Sequence, residues 1–375
     1  MTGTMIELEH DLALLDRAAH CAVRGHGHVE PNPMVGCIAT DMEGEIVAVA
    51  HHQRHGGPHA EVLAIEMAGA RLRGGTLYVT LEPCSHEGQT GPCTSALLDA
   101  GVSRVVIGQR DPNPDASGGA EILRAAGIEV DVLDHEASRL LIAPHVIRLQ
   151  QQRPWVLAKW AQTLDGRIAT RSGQSRWISS SRSRRMVHRQ RGRVDAILTG
   201  IGTVMNDDPR LTVRQARTRR TPRRVLVDPG LDIPMESALL ATMDEAPLTI
   251  ACLENAPAGR QDALRRSGVD VLALPAHKGR LDLRSMLQLL HSDRGISTIL
   301  VEAGPGLLSS LLDSGCVDEA CVFIAPTLLG DDDAIPPLRG RAPDTIDGGL
   351  GMVLRQVHRR GEDVLLRYGL PTGNS

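Results

Sequence analysis

The chain has 375 residues, 42% of them hydrophobic and only 2% aromatic, with a formal net charge of −4. That length is more than one hydrophobic core ordinarily supports and predicts two domains of roughly 150 to 200 residues each. The near-balanced charge and the scarcity of aromatic stacking platforms argue against a nucleic-acid partner, and the absence of any run of about eighteen apolar residues argues against a membrane span.

In chain order, the N-terminal residues lack the basic-then-apolar pattern of a signal peptide. Helical spacing of apolar residues begins at Asp11 and runs to Val23. Met34 to Thr40 reads as a short buried strand, and a second strand, "EIVAVAHH", follows the turn "DMEG". A helix from His59 to about Leu72 precedes the strand Thr76 to Leu81. The helix "TSALLDAG", the strand Arg104 to Gly108, the helix "AEILRAAG" and the strand "IEVDVL" complete an alternating α/β pattern, which predicts a layered domain. The helical stretch "ASRLLIAPHVIRLQQQ" ends it, and the boundary falls near Gln151, giving domains 1-150 and 151-375. The second half repeats the alternation with the strands "RPWVLAKWA", "AILTG", "RVLVD", "LTIAC", "VDVLAL", "TILVEAG" and "EACVFIAP".

Seven cysteines at positions 21, 37, 84, 93, 252, 316 and 321 are odd in number and uneven in spacing, which does not suit a disulfide framework and predicts a reducing, cytoplasmic setting. Three polar residues of the first half stand out against this background. His59, Cys84 and Cys93 are the ligand types of a catalytic zinc site that keeps its fourth position for water. Glu61, two residues after the histidine, is placed as a proton shuttle that does not ligate. The set follows the H-x-E and P-C-x-x-C signature of the zinc nucleobase deaminases, except that eight residues rather than two separate the cysteines. Pro92 and the helical run after it place Cys93 at a helix N-terminus, where the dipole favours thiolate. A closed structural zinc site is the other reading, and it would need His86 as fourth ligand.

The stretches "EPNPMVGCIA", "HHQRHGGPHAEVLAI" and "TLEPCSHEGQTGPCTSALLDAGVSRVVIGQRDPNP" resemble the deaminase half of the bifunctional deaminase/reductase family of riboflavin biosynthesis. A long loop between the cysteines is normal in that family. The resemblance implies a cytidine-deaminase-like three-layer fold, bound Zn2+, and a substrate contact from Asn32, for which a turn role between two prolines is the alternative.

The second half carries no G-x-G-x-x-G after its first strand, so a standard dinucleotide fold is not expected. It does contain a Gly-rich turn, "VEAGPGLLSSLL", opening a helix Leu307 to Leu312 whose amides suit a phosphate. "KWAQTLDGRIAT", "SGQSRWISS" and "VHRQRGRVDAILTGIGTVMNDDPRLTVR" resemble the reductase half of the same family, whose fold is similar to dihydrofolate reductase. That resemblance implies NADPH contacts from Ala161, Trp177, Thr203, Asp207, Gly304, Pro305, Gly306, Leu307, Leu308, Ser309 and Ser310. It implies substrate contacts from Lys159, Ser175, Arg191, Leu211, Arg214 and Glu302. Taken alone, Arg191 also reads as a helix-surface residue and Asp207-Asp208-Pro209 as a turn. The basic run Arg214 to Arg224 reads as a solvated loop or as a phosphate-attracting rim.

Together the two halves imply a zinc-dependent hydrolytic deamination of a diaminopyrimidine ribosyl phosphate, then an NADPH-dependent reduction of its ribosyl group to ribityl, in a homo-oligomer. The second half departs from the family wording at Thr163, Thr327 and Pro229, where serine, lysine and serine are more usual. A deaminase with an inactive reductase half is therefore the alternative.

Overall fold

The computed structural model describes residues 2–86, 91–214 and 216–370. The chain divides into two compact units, Met1–Gln151 and Gln152–Ser375.

The first unit runs α1 (Thr2–Ala22), β1 (Gly36–Thr40), β2 (Ile46–His51), α2 (Ala60–Ala68), β3 (Thr76–Val79), α3 (Cys93–Ala100), β4 (Arg104–Ile107), α4 (Gly119–Ala125), β5 (Glu129–Val132) and α5 (Glu136–Gln151). Its sheet has the order β2-β1-β3-β4-β5. β1 is antiparallel to both neighbours, while β3, β4 and β5 are parallel. Every residue of β1 is buried, so both sheet faces are covered. Alternate side chains take opposite faces: Cys37 and Ala39 join Ala60, Ala64, Leu97 and Leu123 from α2, α3 and α4. Ile38 joins Leu14, Leu15 and Ala18 of α1 on the other side. The result is three layers. Ala60, Ala64 and Ala68, spaced by four, give α2 a flat small-residue face against the sheet. Gly36 is required where α1 crosses β1, because a Cβ there would lie 2.0 Å from the Ala18 carbonyl oxygen. α1 begins at Thr2, ahead of the expected Asp11; its first turns expose Met5, Ile6 and Leu8, so apolar periodicity could not mark them.

The second unit runs β6 (Trp155–Thr163), α6 (Ser181–Arg191), β7 (Ala196–Gly200), α7 (Ile201–Asp207), β8 (Arg223–Val227), α8 (Ala238–Ala241), β9 (Leu248–Leu253), α9 (Ala258–Arg266) and β10 (Asp270–Leu274). A small ribbon follows, β11 (Ala276–His277) with β12 (Arg280–Leu281), and then α10 (Leu283–Ser292), β13 (Thr298–Val301), α11 (Pro305–Asp313), β14 (Glu319–Ala325), β15 (Val353–Arg360) and β16 (Asp363–Gly369). The nine-stranded sheet has the order β10-β9-β8-β7-β13-β6-β14-β16-β15. It is parallel from β10 to β14, and β16 and β15 add an antiparallel edge. One face buries Met286, Leu290, Leu308 and Leu311 of α10 and α11. The other buries Val187, Val204, Leu239 and Leu264 of α6 to α9.

Two features of this sheet position the site. The buried Arg153 guanidinium donates to both oxygens of Asp318 at 2.7 Å, and Asp318 also accepts the Val156 amide, so the starts of β6 and β14 are fixed together. In the register of the three central strands, Ala158, Val301 and Leu198 lie side by side. The next residues, Lys159, Glu302 and Thr199, therefore stand at one level across these strands.

Candidate active sites

His59 is the N-cap of α2, Glu61 lies in its first turn, Cys84 follows β3 and Cys93 opens α3. His59 Nδ1, Cys84 Sγ and Cys93 Sγ all fall within 4.8 Å of one another. Nδ1 is 3.2 Å from the Cys93 sulfur and 3.6 Å from that of Cys84. Four-coordinate zinc with bonds of about 2.0–2.3 Å spaces its ligand atoms roughly 3.5 to 3.8 Å apart, so this donor set fits zinc. His86 lines the neighbouring cavity but is not part of the cluster. Among the described residues the ligand set is therefore open, as a catalytic zinc requires, and the closed structural reading loses its fourth ligand.

Cys93 stands at the N-terminus of α3, as expected, and the same helix start also reaches Cys84. The first-turn amide of Cys93 points at Cys84 Sγ, 3.4 Å away. Cys84 is drawn down to about 4, first by the hydrogen bond from the Cys93 thiol and then by His59 and that amide. Cys93 is pushed up by the Cys84 sulfur and by burial. Glu61 is 3% exposed, its Oε2 has no hydrogen-bond partner among the described residues, and burial lifts its carboxyl above the usual range. A carboxyl held in this way takes up a proton more readily than an exposed one.

These groups open on a cavity of about 330 Å³. Asn32 lines it, with Nδ2 3.3 Å from His52 Nε2, and His52 Nδ1 is 2.9 Å from the Pro58 carbonyl oxygen. Burial disfavours the charged form of His52, and its two contacts suit a ring with Nδ1–H donating to Pro58 and Nε2 accepting from Asn32. Asn32 is thereby held at the cavity wall. Asp111, Asn113 and His145 also line the cavity. Sequence reasoning assigned none of His52, Asp111 or His145, although "HHQRH" and "RDPNP" flank the zinc motif.

In the second unit Arg191 and Glu302 meet as a fork. Arg191 Nε donates to Oε1 at 2.5 Å and Nη2 to Oε2 at 2.9 Å, while Nη1 donates to the Thr212 carbonyl at 3.1 Å. Burial alone would raise Glu302, but Arg191 outweighs it and holds the carboxyl at about 2. The partner that Glu302 needs is thus another residue singled out from the sequence. Lys159 lies beside them, its Nζ 5.8 Å from the Phe323 ring centroid, and burial lowers its pKa despite Glu302. Arg214, although exposed as a residue, is lowered by partial desolvation and by repulsion from Arg191, Arg210 and Arg176, and His188 is lowered to about 4 by burial, Arg191 and Arg214. A concentration of positive charge with one carboxylate suits a phosphate dianion.

The remaining residues also pair. Ser175 Oγ donates to Asp207 Oδ1 at 3.1 Å, and the Gly304 amide donates to Thr203 Oγ1 at 3.1 Å. The helix expected from Leu307 begins at Pro305 instead, because proline is suited to the first helical position. Pro305 has no N–H and Gly304 is satisfied by Thr203, which leaves the amides of Gly306 and Leu307 as the unfilled donors of the first turn. Ser310 Oγ turns back to the Gly306 carbonyl. Leu211, Leu308 and Ser309 are 3%, 2% and 4% exposed, and Ser309 Oγ accepts from the Arg339 amide at 2.8 Å. Ala161 is half-buried against the core, and Arg214 is exposed. Trp177 is 69% exposed, with the Arg184 guanidinium 4.3 Å from its ring centroid.

Of the three departures from family wording, only that at Thr163 is explained by side-chain contacts. Thr163 keeps a hydroxyl, which donates to Asp165 Oδ1 at 2.6 Å and accepts the Arg167 amide at 2.9 Å. Thr327 acts through its backbone, bonding the Ala325 carbonyl and the Leu164 amide, and Pro229 accepts from the Leu253 amide.

Residues 8–109 match the family described as cytidine and deoxycytidylate deaminase zinc-binding region, and residues 154–366 match the RibD C-terminal domain. The riboflavin biosynthesis protein RibD of Aquifex aeolicus is 41% identical over 362 residues, covering 96% of this chain and 98% of that protein. The protein of the same name from Escherichia coli is 41% identical over 324 residues, 84% and 88% of the two chains. Among solved structures, Acinetobacter baumannii RibD aligns with a TM-score of 0.81 at 33% identity, covering 97% of this chain and 99% of that one. A Thermotoga maritima diaminohydroxyphosphoribosylaminopyrimidine deaminase/5-amino-6-(5-phosphoribosylamino)uracil reductase aligns at 0.80 and 32%, covering 96% and 98%.

Proposed function

Because this chain belongs to the RibD family of bifunctional riboflavin-biosynthesis enzymes, we propose that residues 1-150 carry the deaminase and residues 151-375 the reductase. The enzyme is a hydrolase and an oxidoreductase in one polypeptide, using Zn2+ and NADPH on small-molecule substrates. The substrate of the first half is 2,5-diamino-6-(5-phosphoribosylamino)pyrimidin-4-one, and that of the second is 5-amino-6-(5-phosphoribosylamino)uracil.

His59, Cys84 and Cys93 would hold the zinc, which would supply a Lewis acid and bring water ionisation near neutral pH. Glu61 takes the proton of the attacking water on its carboxylate and delivers it to the exocyclic nitrogen, so that ammonia leaves as the ring carbon gains its carbonyl oxygen. Asn32 holds the pyrimidine from the cavity wall. In the second half NADPH, when bound, would supply the hydride that reduces the sugar C1' of the ring-opened imine. Thr203, Asp207, Trp177, Ala161 and the turn Gly304 to Ser310 bind that cofactor. Ser175, Arg191, Leu211 and Arg214 take the ribosyl phosphate, and Lys159 and Glu302 are the groups at hand for proton transfer.

The observation that carries the reading is the buried Glu61, whose Oε2 has no hydrogen-bond partner among the described residues, beside an open His-Cys-Cys cluster. Purified zinc-loaded protein is given the diaminopyrimidine phosphate and ammonia is followed; NADPH is then added and its absorbance followed. Ammonia and then NADPH oxidation is the expected order. Ammonia without oxidation would leave a deaminase alone.

Two further parts of the reading are cytoplasmic residence and homo-oligomerisation. No described helix is long and apolar enough to cross a membrane, and all seven cysteines are free and buried. The edge strand β15 exposes Val353, Leu354 and Val357, a surface that favours pairing with another copy. Light scattering on the purified chain reads the assembly directly.

A further inference from the structure

Glu82 stands just before the Pro83-Cys84 pair, is 3% exposed, and has no role in the chemistry above. A carboxylate so deep ordinarily needs a cation or several hydrogen bonds. Arg110 is 3.9 Å away, but its side chain is 52% exposed and closer to Glu121, at 2.8 Å. Main-chain amides satisfy Glu82 instead. Asp111 N donates to Oε2 at 3.0 Å and Ala120 N to Oε1 at 2.9 Å, while the amide of Glu82 itself donates to the Gln109 carbonyl at 2.8 Å.

Three segments converge on this one side chain: the ligand segment after β3, the loop after β4, and the first turn of α4. The loop contributes Asp111, Asn113 and Ala116 to the cavity wall. Just past Cys84, the Ser85 amide donates to the Ala116 carbonyl at 3.3 Å and its hydroxyl to the Ser117 carbonyl at 2.8 Å. Gly119 lets α4 close on the segment, since a Cβ there would lie 1.9 Å from the Pro83 carbonyl oxygen. Cys84 is therefore clamped from both sides to the wall of its own cavity.

We propose that Glu82 is a positioning residue of the deaminase, whose carboxylate sets Cys84 for zinc and, through the Asp111 amide, sets the cavity wall that holds the pyrimidine. The inference rests on the zinc-deaminase reading of this site. The role demands two acceptors. Glutamine has the same shape but offers one oxygen and one NH2, so in Glu82→Gln one of the two amides meets a donor.

The full-length Glu82→Gln protein is compared with its parent by zinc competition against a chromogenic chelator, by thermal midpoint with and without zinc, and by deaminase KM and kcat. Zinc affinity is expected to fall about 10- to 100-fold, as for other partners that orient ligands. The zinc-dependent rise in midpoint shrinks accordingly. KM rises more than kcat falls at saturating zinc, and NADPH oxidation by the same polypeptide is unchanged. Glu82→Asp, which keeps both acceptors with a shorter reach, recovers part of the zinc affinity. An equal drop in midpoint with and without zinc, with parental zinc affinity and KM, would make Glu82 a core anchor only and overturn the proposal. If Glu82→Gln does not fold, parental zinc affinity and KM in Glu82→Asp overturn it equally. A parent that binds no stoichiometric zinc sinks the underlying reading instead, and that result is seen before any variant is made.

Discussion

Arg191→Ala removes the guanidinium that holds Glu302 and leaves a carboxylate, only 14% exposed, without its fork. Lowering that carboxyl from an ordinary 4.5 to about 2 corresponds, at about 1.4 kcal/mol per pH unit, to about 3 kcal/mol of stability. This agrees with the roughly 3 to 5 kcal/mol lost when one partner of a buried pair is deleted. Because the folded-state carboxyl titrates below its unfolded value, the contribution is complete above about pH 4.5 and is lost as pH falls toward 2. The assay is urea unfolding of the full chain followed by tryptophan fluorescence, since Trp155, Trp160 and Trp177 all lie in the second unit. With a urea dependence of about 1–3 kcal/mol/M, the midpoint at pH 7 should drop by roughly 1 to 3 M, and the difference should shrink to about half or less at pH 3. Reductase KM for the phosphate substrate should rise while ammonia release is preserved. An unchanged midpoint at pH 7, or a drop of the same size at both pH values, would refute the charge-pair argument.

Glu61→Gln should keep its zinc by metal analysis but lose ammonia release by about 10²- to 10⁴-fold, the usual value of a positioned acid-base group; near-parental deamination would remove Glu61 from the mechanism. Thr203→Ala loses the acceptor for the Gly304 amide and should raise KM for NADPH about fivefold, equivalent to about 1 kcal/mol, with kcat nearly kept; an unaltered KM would mean that the turn holds its shape without Thr203. Gly36→Ala forces a Cβ to within 2.0 Å of the Ala18 carbonyl oxygen and should cost about 1–3 kcal/mol. Its deaminase should then lose activity to heat before its reductase does, and equal half-lives would show that α1 can yield.

The zinc cluster was legible because its four residues sit in two short motifs whose spacing is set by local chain geometry: an N-cap followed by a helix turn, and a strand end followed by a helix start. The fork between Arg191 and Glu302 was not, although both residues were singled out. They are 111 positions apart in sequence, and only the insertion of β13 beside β7 brings them together. The same holds for Ser175 with Asp207 and Thr203 with Gly304: residue chemistry suggested ligand contacts, and the fold adds contacts to each other. β15 and β16 escaped notice because β15 is exposed along most of its length and mixes Val353, Leu354 and Val357 with arginine and histidine. The turn at Gly361, with φ of 76°, was the available hairpin signal. His52 was missed for a simpler reason. In a run of histidines, burial is what selects one, and burial is a tertiary property.

The central place of β13 has a consequence for the order in which the protein becomes competent. Its pairing partners β7 and β6 emerge from the ribosome 103 and 143 residues earlier, since Val301 sits beside Leu198 and Ala158. Until β13 arrives, those two strands have a gap where the reductase floor will be, and loop-closure entropy must be spent before any contact there is gained. The first unit closes on strands and helices that all precede residue 152. A nascent chain stalled before Thr298 would therefore hold every strand of the first unit's sheet while the second unit's sheet still lacked its central strand.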